Sequence, residues 1–384
     1  MRTGSLRCWA ISGVLALMAV GQVRAQNAVP LPSVPGAGGT PASLGGVPAT
    51  LASGISSSPT SGVESLPQAG QHLNGTVEDH PVLSASGDDE GYWYHGFYFT
   101  GDYLLLRPRR DAFDYAISSP NTTQTPGGTV AEAAWNTESG FRFGTGYKLP
   151  GQDWTIGVTY TNFSSHGDTA AAAPVGGALY ATLTRAGSYD EVDTAAAATN
   201  IDYNVIDIDI SHRIQVSDNF AVNVFGGGRF AWINQEFSAV YNGGPDKATN
   251  DTVTSPVYFN GAGLTFGSEG QWNVYHGLSI YARARGSLLS GQFRNFLTET
   301  ANNNSVVIVN VNEKYDEIVP VAELGLGLNY CAEHWHVSVG YELANWFSMV
   351  NSLDFPDSSN IGKIGRRTSD LSIEGLAVQL GLVF

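Results

Sequence analysis

Nine ionisable residues interrupt an alternating text in which their neighbours at every second position are mostly small or polar: Asp102, Arg142, Asp207, Asp209, Arg229, Arg283, Arg285, Glu323 and Glu342. Five are acidic and four basic, and each lies five to nine residues from the short-turn or terminal end of its own alternating segment. Charges of both signs at one depth can pair across a narrow space. They can equally line a constriction that sorts ions and solutes. The alternative to a constriction is a salt-bridged, hydrated filling of a closed interior.

Other chemistry is poorly signalled. His334 and His336 flank Trp335 without a visible third ligand for a metal. The run "DIDIS" (207–211) has the acidic spacing of a strand face and lacks the glycine turn and distal Glu of a calcium loop. No Ser/His/Asp set is signalled locally, so the expectation is a protein that is not an enzyme, with no metal or cofactor. A hydrolase assembled at a rim from distant strands is the remaining enzymatic alternative.

The charges need extended strands to hold them. Ten segments carry period-two alternation: 96–107, 140–148, 154–160, 205–214, 220–232, 257–270, 278–286, 321–330, 335–343 and 375–384. In the last, Leu376, Val378, Leu380, Leu382 and Phe384 share one side. Alternation over so many segments is a strand signal. The connections decide what the strands build. Long ones (108–134, 163–200, 238–255, 291–315, 347–370) alternate strictly with short ones (149–153, 215–219, 271–277, 331–334). Outer-membrane barrels have short periplasmic turns and long extracellular loops, with apolar faces toward lipid and polar faces toward the lumen. A soluble sandwich gives no reason for that succession.

The expected fold is therefore all-β: an antiparallel transmembrane β-barrel of about 10 strands over 91–384, all nine charges facing the lumen. A hairpin within 298–316 or 178–186 would make 12. Leu104 and Leu106 also take lumen-facing parity on the first strand. Aromatic residues form two expected girdles: Phe220, Trp335, Tyr330, Tyr147, Trp154 and Phe384 by the short turns, and Trp232, Trp346 and Tyr160 by the long ones.

Residues 1–25 read as a secretory signal peptide, with Arg2 and Arg7 before the apolar run 9–20 and Val23-Arg24-Ala25 as the cleavage site. Residues 26–90 are rich in Pro, Gly, Ser and Ala and read as a disordered linker, expected in the periplasm. Removal of the leader would leave Cys331 as a lone cysteine. The chain carries 35 Asp+Glu against 19 Lys+Arg, which argues against nucleic-acid binding.

The stretches "GFYFTGDYLLLRPRRDAFDYA" (96–116), "YFNGAGLTFGSEGQW" (258–272), "GLSIYARARGSLLSG" (277–291) and "IVPVAELGLGLNY" (318–330) resemble the Legionella-type pore-forming outer-membrane protein family, which also occurs widely in planctomycetes. The resemblance covers most of 91–384 and implies an outer-membrane porin without a cofactor. The expected function is passive diffusion of small hydrophilic solutes or ions through the lumen. The alternative is a closed structural or adhesive barrel that binds through its long loops, with Ala-rich 169–199 foremost. Expected partners are outer-membrane lipid, the permeating solutes and the outer-membrane assembly machinery, for which Phe384 is the terminal signal residue. The sequence leaves the oligomeric state open.

Overall fold

A computed structural model describes residues 96–122, 127–150, 153–332, 334–355 and 362–384. The leader and the linker lie outside the described residues. In chain order the strands are β1 (Gly96–Arg109), β2 (Asp114–Ser119), β3 (Thr129–Glu132), β4 (Glu138–Lys148), β5 (Trp154–Ala172), β6 (Ala178–Ala181), β7 (Glu191–Val192), β8 (Thr194–Ser217), β9 (Phe220–Gly243), β10 (Ala248–Thr254), β11 (Val257–Tyr275), β12 (Leu278–Ala301), β13 (Val306–Cys331), β14 (Trp335–Asp354) and β15 (Gly365–Val383).

Ten of them close into an antiparallel ring in the order β1, β4, β5, β8, β9, β11, β12, β13, β14, β15, with β15 pairing back to β1. Closure places Tyr98 opposite Val383 and Gly101 opposite Leu380, so the carboxyl-terminal strand is the seam of the barrel. β10 pairs with β9 and β12, the same neighbours that flank β11. The two form one strand broken at Ser255-Pro256, where proline has no N–H to give the ladder. No additional barrel hairpin arises from 298–316, which forms the facing ends of β12 and β13. Their turn carries Asn302, Asn303 and Asn304 at φ of 52°, 55° and 66°, the left-handed region that asparagine tolerates. Residues 178–181 belong instead to a separate four-stranded sheet in the order β3-β2-β6-β7.

The expected long loops are largely strand. β8, β9 and β12 each run 24 residues and β13 runs 26. The physical reason is a change of solvent along each strand. Near the short turns the apolar set points outward: Ile206, Ile208 and Ile210 on β8, Phe230 and Trp232 on β9, Leu288 on β12 and Leu324 to Leu328 on β13. Farther along, the outward positions turn polar at Asp202, Glu236, Asn260, Gln292 and Asp316, while the apolar set moves to the inward parity. Val205 and Ile206, Trp232 and Ile233, and Leu288 and Leu289 are adjacent pairs that straddle the crossing. The lower part is a lipid-facing band with a polar inside. The upper part has a water-facing outside and an apolar core, as a soluble β-structure does.

That core fills the outer half of the barrel. Leu104, Leu106, Phe163, Ile201, Ile233, Phe259, Leu289, Phe293 and Trp346 are buried there together with Tyr115, Ala116, Leu179 and Val192 of the small sheet. Trp346 thus departs from the expected girdle. It shares the inward parity of His336 and Glu342 and is enclosed beside Tyr203 and Phe259. Trp154, Trp232, Tyr330 and Trp335 are exposed on the outer surface. Cys331 is buried at the end of β13, where the Asn329 side-chain amide donates to its Sγ at 3.5 Å, and the other cysteine, Cys8, lies outside the described residues.

Candidate functional site

The ladder registers set acid against base below the apolar core. Asp102 stands opposite Arg142, Asp207 opposite Arg229, and Arg285 opposite Glu323. Directly opposed side chains on one face lie close enough to pair. Gly325 stands opposite both Arg283 and Glu342, and a Cβ there would reach only ordinary contact with each, 3.8 Å away.

Bonds then extend past neighbouring strands and cross the lumen. Arg142 donates to Asp102 Oδ2 at 3.0 Å and to Glu342 Oε2 at 2.7 Å, joining β4 to β14 over β1 and β15. Arg229 holds Asp207 Oδ1 at 2.6 Å and Glu323 Oε1 at 2.5 Å, joining β8 and β9 to β13. Arg285 returns from β12 to β8, with 2.9 Å to Asp207 Oδ2 and 2.6 Å to Asp209 Oδ2. Its Nε lies 3.8 Å from Glu323 Oε2. The nine residues therefore fall into a three-membered group (Asp102, Arg142, Glu342), a five-membered group (Asp207, Asp209, Arg229, Arg285, Glu323) and Arg283 beside them.

Arg283 is partnered by a residue that the sequence reading missed. Its Nη2 lies 2.7 Å from Glu269 Oε2. The signal was present, since Glu269 continues the inward parity of Gly263, Thr265 and Gly267 on β11. Gln379 Nε2 also donates to Asp102 Oδ1 at 2.8 Å, and Arg142 Nε to Thr161 Oγ1 at 3.2 Å. The set is then six carboxylates and four guanidinium groups.

Two cavities sit among these side chains. One of about 90 Å³ is lined by Arg142, Asp207, Arg229, Arg285, Glu323 and Glu342. Another of about 20 Å³, toward the short turns, is lined by Asp102, Glu269, Arg283, His336 and Glu342. Each is bordered by these charged groups and is large enough for water, the larger one being walled also by Leu106, Val205, Leu324, Leu343 and Ile373. His336 is buried with its Nε2 3.2 Å from Gln379 Oε1, while His334 lies exposed in the turn. Among the described residues no three His, Cys, Asp or Glu side chains gather to hold a metal. Phe384 is exposed at the seam, its ring edge-on to Phe99 at 5.9 Å and its N–H donating to Phe97 O at 3.1 Å.

Above the charges, the small sheet lies in the mouth of the barrel and is tied to inward groups on three strands. Tyr241 of β9 donates to Tyr115 O at 2.7 Å, and Arg367 of β15 binds Asp114 Oδ2 at 2.9 Å. Glu299 of β12 accepts the Arg185 N–H at 2.8 Å. Arg110, just past β1, is stacked 4.0 Å over Phe113 and donates to Gln235 Oε1 at 3.1 Å. Among the described residues no carboxylate pairs with it, and burial pulls its guanidinium down to about 9. Burial pushes the carboxyls of Asp251 and Glu299 up to about 6 and about 7.

Comparison with known proteins adds the following. The family described as Legionella pneumophila major outer membrane protein precursor matches residues 94–384. No curated protein matches the chain. Among solved structures, the outer membrane protease OmpT from Escherichia coli aligns at 10% identity over 75% of this chain and 97% of that chain, with a TM-score of 0.45. The toluene transporter TodX from P. putida aligns at 10% identity over 75% and 90% of the two chains, with a TM-score of 0.34. The translocator domain of autotransporter NalP from Neisseria meningitidis aligns at 13% identity over 77% and 90%, with a TM-score of 0.35.

Proposed function

Because this chain belongs to the Legionella pneumophila major outer membrane protein family, and so is a β-barrel of the outer membrane, we propose that it is a pore-forming protein for small hydrophilic solutes or ions. The charged belt is its selectivity element. The reading is non-enzymatic and takes no cofactor; its partners are outer-membrane lipid, the solutes and, through Phe384 on the seam strand, the barrel assembly machinery.

One observation carries the proposal. The outer half of the same lumen is filled with Leu, Ile, Phe and Trp, so this sequence has an apolar filling at its disposal. Buried ion pairs are no better than such a filling for stability, and apolar replacements are often neutral or better. A belt of ten charged groups around cavities that admit water is therefore poorly explained as packing and well explained as a hydrated path for charged or polar solutes. Passage requires the small sheet to leave the mouth. The apolar packing under that sheet favours a second reading, a closed barrel that presents its long outer strands to ligands.

Single-channel recording of the refolded chain in a planar bilayer separates the two. A pore gives discrete, salt-dependent steps. Arg283→Gln with Arg285→Gln should then shift permeability toward cations, by about fivefold for each charge if each contributes ~1 kcal/mol at 4 Å in water. A folded barrel that passes no current under any condition would leave the closed reading, and unchanged selectivity in a conducting double variant would remove the belt as selector.

A further inference from the structure

Asp251 on β10 and Glu299 on β12 face the interior of the outer half and are 0% and 1% exposed. Their strands pair with Val253 opposite Glu299, which makes the two carboxylates diagonal neighbours on one face. Both lie beyond the level at which the outward face turns polar, so they are outside the lipid band. Glu299 Oε2 accepts the Arg185 N–H at 2.8 Å, in the connection between β6 and β7. Its other oxygen, and both oxygens of Asp251, are buried without a hydrogen-bond partner.

The charged and titratable groups around them come from four elements. From the β6–β7 connection, Arg185 attracts the charge of Glu299 and Asp190 repels it. Asp251 and Glu299 repel each other. From β9, Tyr241 faces Asp251, and Arg367 of β15 and Asp114 of β2 stand beyond it. Arg185 is the cation that draws on the charge of Glu299, while burial is the main influence on Asp251. Three unmatched oxygens on two enclosed carboxylates are costly when charged and tolerable when neutral. The β6–β7 connection is tied to Glu299 through the Arg185 N–H, and Tyr241, which stands opposite Asp251, donates to Tyr115 O of the small sheet, so both carboxyls border the part that must move if the lumen is to open.

We infer that Asp251 and Glu299 form a proton-operated latch, which seats the small sheet in the mouth of the barrel when the carboxyls are neutral and releases it when they ionise. The inference deepens the pore reading by supplying its control, and the seating of the sheet is measurable without any current. Its sign follows from linkage. In the seated state burial raises both carboxyls, to about 6 and about 7. Released into water they return to about 4. Seating is therefore strongest below about pH 4, weakens as pH rises to 6–7, and is weakest above.

The test is hydrogen exchange on the full chain refolded in lipid, with protection at Ala178–Ala181 and Glu191–Val192 corrected for the intrinsic rate at each pH. Protection should fall roughly tenfold or more between pH 5 and pH 8, each unit of displacement being worth a factor of ten. In Asp251→Asn with Glu299→Gln it should be nearly flat and high. Heat-modifiable gel mobility scores whether the variant barrel has folded, and Glu299→Gln alone, which keeps an acceptor for Arg185, should show a reduced slope. Equal protection at both pH values in the wild type, or an equal fall in the double variant, overturns the latch. Parallel current recording separates the ideas: pH-dependent protection in a barrel that never conducts keeps the latch and ends the pore reading, and current with pH-independent protection does the reverse.

Discussion

Arg229 shows how much one side chain is asked to do. It is 2% exposed and holds Asp207 on the adjacent strand and Glu323 across the lumen, using Nε and both terminal nitrogens. Removing it leaves two carboxylates facing each other with Arg285 as their remaining cation. Breaking a buried pair from one side costs ~3–5 kcal/mol, because an uncompensated charge stays behind. Arg229→Ala should lose about that much in equilibrium unfolding from lipid, with the folded fraction read on a gel. Replacing Arg229, Asp207 and Glu323 together by Met, Leu and Leu should cost far less and can even stabilise. Arg109 and Glu374 pair on the exposed surface, and Arg109→Ala should change stability by less than about 1 kcal/mol.

Each strand carries two apolar faces in series, and this decided what could be read in advance. Below the crossing, the alternation in "VIDIDISHRI" or "LGLGLNY" is unbroken, and it locates the strands, their lipid side and the charges between. Above it, the apolar set continues on the opposite parity, as Ile201, Tyr203 and Val205 do on β8. A reader who expects one phase sees alternation dissolve and infers a loop. Leu104 and Leu106 were the visible warning, since their inward parity was correct and belonged to this second core. The small sheet left less trace, because β2 finds its partner β6 some sixty residues away. Glu269 was legible by parity, whereas contacts such as Arg142 with Glu342 depend on barrel shear and are not. The crossing makes a quantitative prediction. Leu324→Arg, at the middle of the outward apolar run of β13, should cost ~2–4 kcal/mol, and Asn312→Arg on the same outward parity close to none. Unfolding titrations of the two variants in lipid measure the difference directly.

At the scale of the whole barrel, closure rests on β15, which makes the seam with β1 and ends in Phe384. The Phe99–Phe384 ring pair contributes ~0.5–1.5 kcal/mol, so loss of Phe384 should alter equilibrium stability little. If the residue is the assembly signal, Phe384→Ser should slow insertion in cells many times more than that small change explains, as followed by pulse-labelling and heat-modifiable mobility. Length has its own outcome. A 24-residue strand such as β8, at about 3.3 Å per residue and a tilt of about 40°, rises about 60 Å, of which the lipid band takes about 25 Å. Roughly 35 Å of ordered sheet then lies outside the lipid band. An antibody or phage approaching the cell meets ridged strand walls there, at which every second residue is uncommitted to the core and every other one is committed. Escape by mutation is open at alternate positions only, so the surface can change its chemical face while its contour stays the same.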